Sequence, residues 1–317
     1  MTKERTWITG AAGQLATALA AALQKFEAYE ILKLPAGTAE TYCRVLPPHS
    51  KARELDILGN FFGQVLAELR PTLVIHAAAL VNTDRCLASP EAAIATNVLG
   101  TQRVLAACQA IGAKLVYIST TAAYDPAVGR GGLHPFTEDD PQVPWTIYGA
   151  TKLAGELIAR RQQAVPWLVI RPCFIYGNAQ LDKSSTLTRA ALNSAQGKST
   201  TVLLDPQNYK DYMRIEDFAA GAVTAMRLGC WGECFNVAGE QPRITAKFYS
   251  AMAAALNLPQ LLLTWRPETD YLGHHLVSTA KLRCWSKLKL GTAWQPRLSL
   301  EEGTKLTATS IQQLLCP

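Results

Sequence analysis

Near-continuous runs of Val, Ile and Leu, each followed by a helical pattern, fill the first half of this chain. Trp7-Ile8-Thr9 reads as a strand, Gln14 to Lys25 as a helix, and Tyr29 to Leu34 as the next strand. Phe61 to Leu69 is helical, followed by a strand over Leu73 to Ala77. Pro90 to Ile111 forms a long helix before a strand at Lys114 to Ser119, and Ile147 to Gln163 a helix before a strand at Trp167 to Arg171. Strands that are apolar throughout have both faces buried, which a parallel sheet covered by helices on each side provides. Crossovers of one hand then bring every strand's C-terminus to the same edge, where ligands of such sheets bind. The expected fold class is α/β, a Rossmann-type doubly wound parallel sheet.

After Gly177 the alternation thins. Leu187 to Ala195, Ile215 to Leu228 and Thr245 to Leu256 read as helices, Val202 to Leu204 and Cys234 to Val237 as strands, and a mixed tail follows. The expected division is a dinucleotide-binding domain over 1–176, with 212–237 returning to it, and a smaller, interlaced C-terminal substrate-binding lobe over 177–317.

Bulk properties narrow the class. A chain of 317 residues with 49% hydrophobic and 18% charged side chains can bury a sizeable core. Met1 to Arg5 runs directly into an apolar strand without a secretory pattern, and the longest apolar stretch, Leu73 to Val81, is too short to span a bilayer. A cytoplasmic protein without a membrane partner is expected. The eight cysteines form no C-x-x-C pair and the five histidines offer no ligand set, with His274-His275 an isolated pair, so reduced, mostly buried thiols and no metal are expected. The net charge of +6 suits small anions, but its Lys and Arg are dispersed, which argues against nucleic acid.

Between the first strand and the first helix lies Thr9-Gly10-Ala-Ala-Gly13-Gln-Leu-Ala16. Glycines at 10 and 13 allow a tight turn and close backbone approach to a pyrophosphate at the helix N-terminus, and Ala16 allows close helix–strand packing. At the first junction of a βαβ pattern this is a dinucleotide loop. At the end of the second strand, Ile31-Leu-Lys33-Leu-Pro35 carries no acid to bind a ribose 2′-hydroxyl, and Lys33 suits a 2′-phosphate. NADP(H) is therefore favoured, with NAD(H) the alternative; Lys33 facing water is the plain reading.

With these pieces placed, the chain resembles the extended short-chain dehydrogenase/reductases, the superfamily of NAD-dependent epimerases and dehydratases. The resemblance rests on motifs in register: the Gly10 loop, Leu55-Asp56-Ile57, His76-Ala-Ala-Ala79, Asn97-Val-Leu-Gly-Thr101, Tyr117-Ile-Ser-Thr120, Tyr148-Gly-Ala-Thr-Lys152, Arg171 to Gly177 and Phe235 to Gly239. The segment from Ser278 through Gly303 is similar to that family's tail. Gly131-Gly132, Pro135 to Pro141 and Tyr148 to Glu156 look like the dTDP-4-dehydrorhamnose reductases, which reduce a 4-keto sugar nucleotide.

The resemblance implies cofactor contacts from Gly10, Ala12, Gly13, Gln14, Leu15, Lys33, Asp56, Ile57, Ala77, Ala78, Ala79, Asn97, Tyr148, Lys152 and Pro172. It also implies a homodimer built on the two long helices. Tyr148 and Lys152 stand four apart on one helical face. Lys152 is expected to lower the Tyr148 pKa and, by the resemblance, to hold the nicotinamide ribose. Thr120 would orient the carbonyl oxygen while Tyr148 protonates the developing alkoxide; Thr121 is the alternative hydroxyl. Asn97 either orders the site or caps its helix, and Asp56 either meets the adenine or starts the helix near Gly59.

Family dehydratases carry an Asp-Glu pair after the active-site threonine; here Thr121-Ala122 follows Thr120, which argues against dehydration. Many family epimerases place an arginine where this chain has Lys210, before Asp211, a departure that leaves a non-sugar ketone open as substrate. Trp145 either lines the pocket mouth with Thr121 and Lys210 or packs the helix start. The expected activity is NAD(P)H-dependent reduction of a ketone, foremost a 4-keto sugar nucleotide. A sugar-nucleotide epimerase and a non-catalytic dinucleotide-binding regulatory subunit are the alternatives.

Overall fold

The computed structural model describes residues 3–32, 43–44, 54–124, 136–178, 185–202, 205–239, 242–266, 288, 292 and 294–315. Lys33, Leu203-Leu204, Gly131-Gly132, His274-His275, the Ser278–Leu282 motif, Cys284 and Cys316 lie outside these residues. The chain divides into two compact units. The first comprises Met1–Tyr124, Asp140–Pro172 and Ala219–Val237; the second comprises Asp125–Asp139, Cys173–Phe218 and Ala238–Pro317.

The first unit is built on the apolar runs seen in the sequence. They are β1 (Glu4–Thr9), β2 (Tyr29–Ile31), β5 (Leu73–His76), β6 (Lys114–Ile118), β7 (Trp167–Pro172) and β12 (Glu233–Val237), with a small antiparallel pair β3 (Cys43–Arg44) and β4 (Glu54–Leu55) beside them in the chain. The six longer ones form one sheet in the order β12-β7-β6-β5-β1-β2, parallel at every pairing. All four residues of β5 are buried, as continuous apolarity requires of a strand covered on both faces. From β1 the chain moves to one side for β2 and then to the other for β5, so the strand order reverses between β1 and β5. Thr9 and His76, the last residues of these strands, are partners in register at that switch point.

The covering helices are α1 (Gln14–Leu23), α2 (Phe62–Leu69), α3 (Thr83–Ala88), α4 (Pro90–Ile94), α5 (Gly100–Ile111) and α6 (Ile147–Arg160). The long helix expected over Pro90 to Ile111 is interrupted: a π-helical turn, Ala95–Leu99, joins α4 to α5 and places Asn97 inward, 1% exposed. The core joins Trp7, Phe62, Leu66, Val74, Leu105, Leu115, Tyr117 and Val169.

In the second unit, β8 (Phe174–Tyr176) pairs in parallel with β11 (Tyr212–Arg214), and β9 (Thr200–Val202) with β14 (Leu263–Trp265). β10 (Tyr209–Lys210) pairs antiparallel with β13 (Arg243–Ile244). Helices α7 (Thr186–Ala195), α9 (Thr245–Ala255) and α10 (Leu300–Leu315) surround an aromatic core in which Tyr212 and Phe248 stack at 3.8 Å; α8 (Ile215–Leu228) leads the chain back to the first unit. The last described part of the tail that read as mixed is the 16-residue α10. Its start is a capping box: Ser299 donates from its backbone and hydroxyl to Glu302, and Glu302 N–H donates back to Ser299 Oγ at 3.2 Å. Among the described residues no helix is long and apolar enough to cross a membrane.

Candidate active site

The glycine loop is shaped by contacts that exclude side chains. Gly10 takes φ +70°, and a Cβ there would lie 2.9 Å from the Ala78 backbone. Gly13 N–H donates to Gly10 O at 2.9 Å, closing the turn, and Gly13 is the N-cap of α1. A glycine cap brings no side chain to the first-turn amides, so the helix start presents N–H groups to an anion. Ala16, 2% exposed, packs the helix down. This cradle of glycine backbone and helix amides fits the pyrophosphate of a dinucleotide. Ala12, Gln14 and Leu15 lie half-buried on the loop and first turn.

A buried polar relay ties this loop to β5. Thr9 Oγ1 accepts the N–H groups of Ala77 (3.2 Å) and Ala78 (3.1 Å), so its own proton goes to His76 Nδ1 at 2.8 Å. His76 Nε2 lies 3.1 Å from Thr101 Oγ1, which itself donates to Asn97 O at 2.7 Å. His76 is therefore neutral with its proton on Nε2. Burial, and then the charge of Lys152, push its pKa down to about 3. Ala77, Ala78 and Ala79 follow as half-buried backbone at the sheet edge, Ile57 is buried in the core, and Pro172 is buried at the end of β7.

Asn97 does not cap a helix. Its side chain accepts Leu80 N–H (2.8 Å) and donates to Leu80 O (3.1 Å) and Thr151 Oγ1 (2.9 Å), pinning the loop after β5 to α6 between Tyr148 and Lys152. Asp56 is exposed and its Oδ1 accepts Leu58 N–H at 2.9 Å, so it shapes the turn that precedes α2.

Thr120 and Tyr148 are brought together by the start of α6. Thr146 caps that helix, its Oγ1 accepting Gly149 N–H at 2.9 Å, which places Tyr148 in the first turn. Gly149 lets the turn press against the Ala122 carbonyl, where a Cβ would collide. Thr120 Oγ1 accepts Ala122 N–H at 3.1 Å and shares a hydrogen bond with Tyr148. Thr121 is buried within the single 3-10 turn Thr121–Ala123, and Trp145 is half-buried just ahead of the cap. Lys210 belongs to the second unit, where Arg243 faces it across β10–β13 and its Nζ lies 5.1 Å from the Phe174 ring centroid.

The electrostatics of the pair differ from expectation. Lys152 does not pull the Tyr148 phenol down; burial pushes it up to about 12, against the Thr120 hydrogen bond, and Cys86 adds to the rise. The cause is where the lysine goes. Lys152 turns inward, 2% exposed, with Nζ 4.2 Å from the Tyr117 ring centroid, and burial drives its own pKa down to about 7 against the upward pull of Glu156. Tyr117 in turn donates to Lys152 O at 3.0 Å, an approach that the missing Cβ of Gly155 permits. Tyr148 thus holds its proton at neutral pH, the state a proton donor needs.

Sequence reasoning missed Glu156 and Arg171, which meet in the interior of this unit with both side chains fully buried. A carboxylate four residues beyond Lys152 was a signal that could have found half of the pair.

Residues 6–238 match the NAD dependent epimerase/dehydratase family. A UDP-glucose 4-epimerase of Mycolicibacterium smegmatis is 26% identical over 318 residues, 96% of this chain and 97% of that protein. A dTDP-4-dehydrorhamnose reductase of Streptomyces griseus is 35% identical, but over 124 residues, 39% of this chain and 40% of its own length. The fold is shared with RMD from Pseudomonas aeruginosa, solved with NADPH (TM-score 0.77, 22% identity, 98% of this chain and 100% of that one). It is also shared with UDP-glucuronic acid 4-epimerase from Bacillus cereus, solved with UDP-glucuronic acid and NAD (TM-score 0.78, 23% identity, 98% and 99%).

Proposed function

The chain belongs to the NAD dependent epimerase/dehydratase family and is an NAD(P)-dependent oxidoreductase of the extended short-chain dehydrogenase/reductase type, and on that footing we propose that it reduces a ketone, foremost a 4-keto sugar nucleotide, with Tyr148 as proton donor. The observation that carries this reading is a phenol hydrogen-bonded to Thr120 and kept protonated by burial. It stands in the same unit as a glycine cradle that fits a dinucleotide pyrophosphate. A nicotinamide held in this unit would supply the hydride. Thr120 orients the carbonyl oxygen, Tyr148 delivers the proton to the alkoxide as it forms, and Lys152 holds the ribose hydroxyls. Thr121-Ala122 brings no carboxylate next to Thr120, which supports reduction over loss of water.

For the cofactor, Lys33 and the lack of an acid from Ile31 to Pro35 favour NADP(H) over NAD(H). A second reading has its own support: the likeness to an epimerase runs along 96% of the chain, that to a reductase along 39%. An epimerase would hold NAD through purification and interconvert a UDP-sugar without net oxidation. The test is to identify any dinucleotide that co-purifies and to follow NADPH oxidation with 4-keto sugar nucleotides. Oxidation by cofactor-free protein supports the reductase; bound NAD with UDP-sugar interconversion replaces it with the epimerase. For assembly we read a homodimer through the α4–α5 rod and α6, supported by Ile94, Leu99 and Leu157, which leave apolar side chains 45–49% exposed on these helices.

A further inference from the structure

β5 is apolar through Leu73-Val74-Ile75 and then ends on a histidine that is fully buried. A buried polar side chain costs free energy unless each of its polar atoms meets a partner of the right sense. His76 meets one at each nitrogen, and two independent sets of bonds fix where its proton sits. On one side, Thr9 Oγ1 accepts backbone N–H groups from Ala77 at 3.2 Å and Ala78 at 3.1 Å, so its hydroxyl proton goes to His76 Nδ1, 2.8 Å away. On the other, Thr101 Oγ1 donates to Asn97 O at 2.7 Å, which leaves it a lone pair for the N–H of His76 Nε2 at 3.1 Å. Either set alone puts the proton on Nε2, and the two agree.

The Thr9 end of this chain shapes the cofactor cradle. Its hydroxyl gathers the Ala77 and Ala78 amides onto one oxygen, and that backbone is the wall against which the glycine loop turns. A Cβ on Gly10 would lie 2.9 Å from Ala78 N and Cα and 3.2 Å from the Ala77 carbonyl carbon. Gly10 directly follows Thr9, so Thr9 governs both the first glycine and the wall it meets. With no acceptor at the Nδ1 position, the buried Thr9 proton would lack a partner, or the hydroxyl would turn and release an amide. The Thr101 end holds the ring in place, and it is anchored in turn: Asn97 bonds the Leu80 backbone and Thr151 on α6. We propose that His76 is a positioning residue for the dinucleotide site: held by Thr101 through Nε2–H, it accepts the Thr9 hydroxyl on Nδ1 and so fixes the Ala77–Ala78 backbone that walls the glycine loop. His76 acts through Thr9 and is not a catalytic residue. The proposal rests on the glycine loop binding a dinucleotide, but not on what the substrate is.

The test is binding of NADPH and of NADH to the cofactor-free protein, measured by calorimetry, with His76 replaced by each of two amides. The Asn side-chain oxygen stands as many bonds from Cα as Nδ1 does, so His76→Asn keeps an acceptor for Thr9. The Gln amide nitrogen matches Nε2 instead, so His76→Gln keeps the donor to Thr101 and loses that acceptor. His76→Gln should raise the Kd of the tighter-bound dinucleotide at least about fivefold, the effect of leaving a buried donor unpaired, and His76→Asn should raise it less. A role set by filled space alone predicts the reverse order, since Gln is the larger. Should His76→Gln fail to fold, Thr9→Val removes the hydroxyl that His76 fixes and should weaken binding by the same margin, while Thr9→Ser restores it. A Kd unchanged in His76→Gln, or in Thr9→Val where the first variant does not fold, overturns the proposal. So does weaker binding by His76→Asn than by His76→Gln, or a wild-type His76 ring found protonated on Nδ1 by NMR of 15N-labelled histidine. A wild-type protein that binds neither dinucleotide overturns the proposal together with the cofactor site. Since none of these measurements needs substrate or turnover, their failure is separate from failure of the reductase reading.

Discussion

Replacing Lys152 with Met should make the cofactor-free protein more stable, by an amount that depends on pH. The lysine is 2% exposed and its pKa falls from an ordinary 10.5 to about 7, chiefly by burial. The unfolded chain therefore binds more protons than the folded one between these values. Stability from this group is greatest at high pH, is lost as pH falls towards 7, and stays lost below it. At about 1.4 kcal/mol for each pH unit, the folded state bears a penalty of roughly 5 kcal/mol below neutrality. Methionine keeps most of the stem's packing and carries no charge. The variant should exceed the wild type by roughly 5 kcal/mol at pH 6, and the gap should close by about 1.4 kcal/mol per pH unit above 7. Urea titrations of both proteins across that pH range, read by tryptophan fluorescence, measure the gap. A variant less stable than wild type at pH 6, or a gap flat with pH, would show that burial does not depress the Lys152 pKa. The gain should come with loss of activity, since a residue this costly to the fold is kept for what it does.

Tyr148→Phe removes the proposed proton donor and should lower turnover at least about 100-fold with little change in unfolding midpoint; steady-state rates of the two proteins decide it. Gly10→Ala forces a Cβ against the Ala78 backbone at a left-handed φ, so dinucleotide affinity measured by calorimetry should drop sharply, with stability lower by about 1–2 kcal/mol. Thr146→Ala deletes the cap that sets Tyr148 in the first turn of α6; it should cost about 1 kcal/mol and reduce turnover, while Thr146→Ser keeps both. Leu157→Asp should shift a dimer towards monomer in light scattering if α6 forms the interface; unchanged mass would place the contact elsewhere.

How legible was this in the sequence? Strands such as Leu73–His76 announce themselves because burial on both faces demands continuous apolar residues, and Gly10 and Gly13 because only glycine tolerates the turn. The spacing of Tyr148 and Lys152 fixes their shared face but says nothing of rotamer, so the inward turn of Lys152 over Tyr117 was out of reach, and the phenol was expected to shift the wrong way. Ala95–Leu99 carries no local mark of a π turn; the turn answers to the partners of Asn97, which lie 17 and 54 residues away. Glu156 and Arg171, 15 residues apart, carry no local mark of pairing with each other, and parallel pairing of β6 with β7 under α6 is what buries them together. The start of α10 does carry a plain local signal, Ser299 three residues before Glu302.

The role proposed for Tyr148 is to protonate a carbonyl oxygen reduced at this site. Its most direct test is NADPH oxidation by cofactor-free protein against a panel of 4-keto sugar nucleotides and non-sugar ketones, run in parallel with Tyr148→Phe. Substrate-dependent oxidation that collapses in the variant is the predicted result. No oxidation with any ketone, together with NAD retained through purification and interconversion of UDP-sugars, would contradict it.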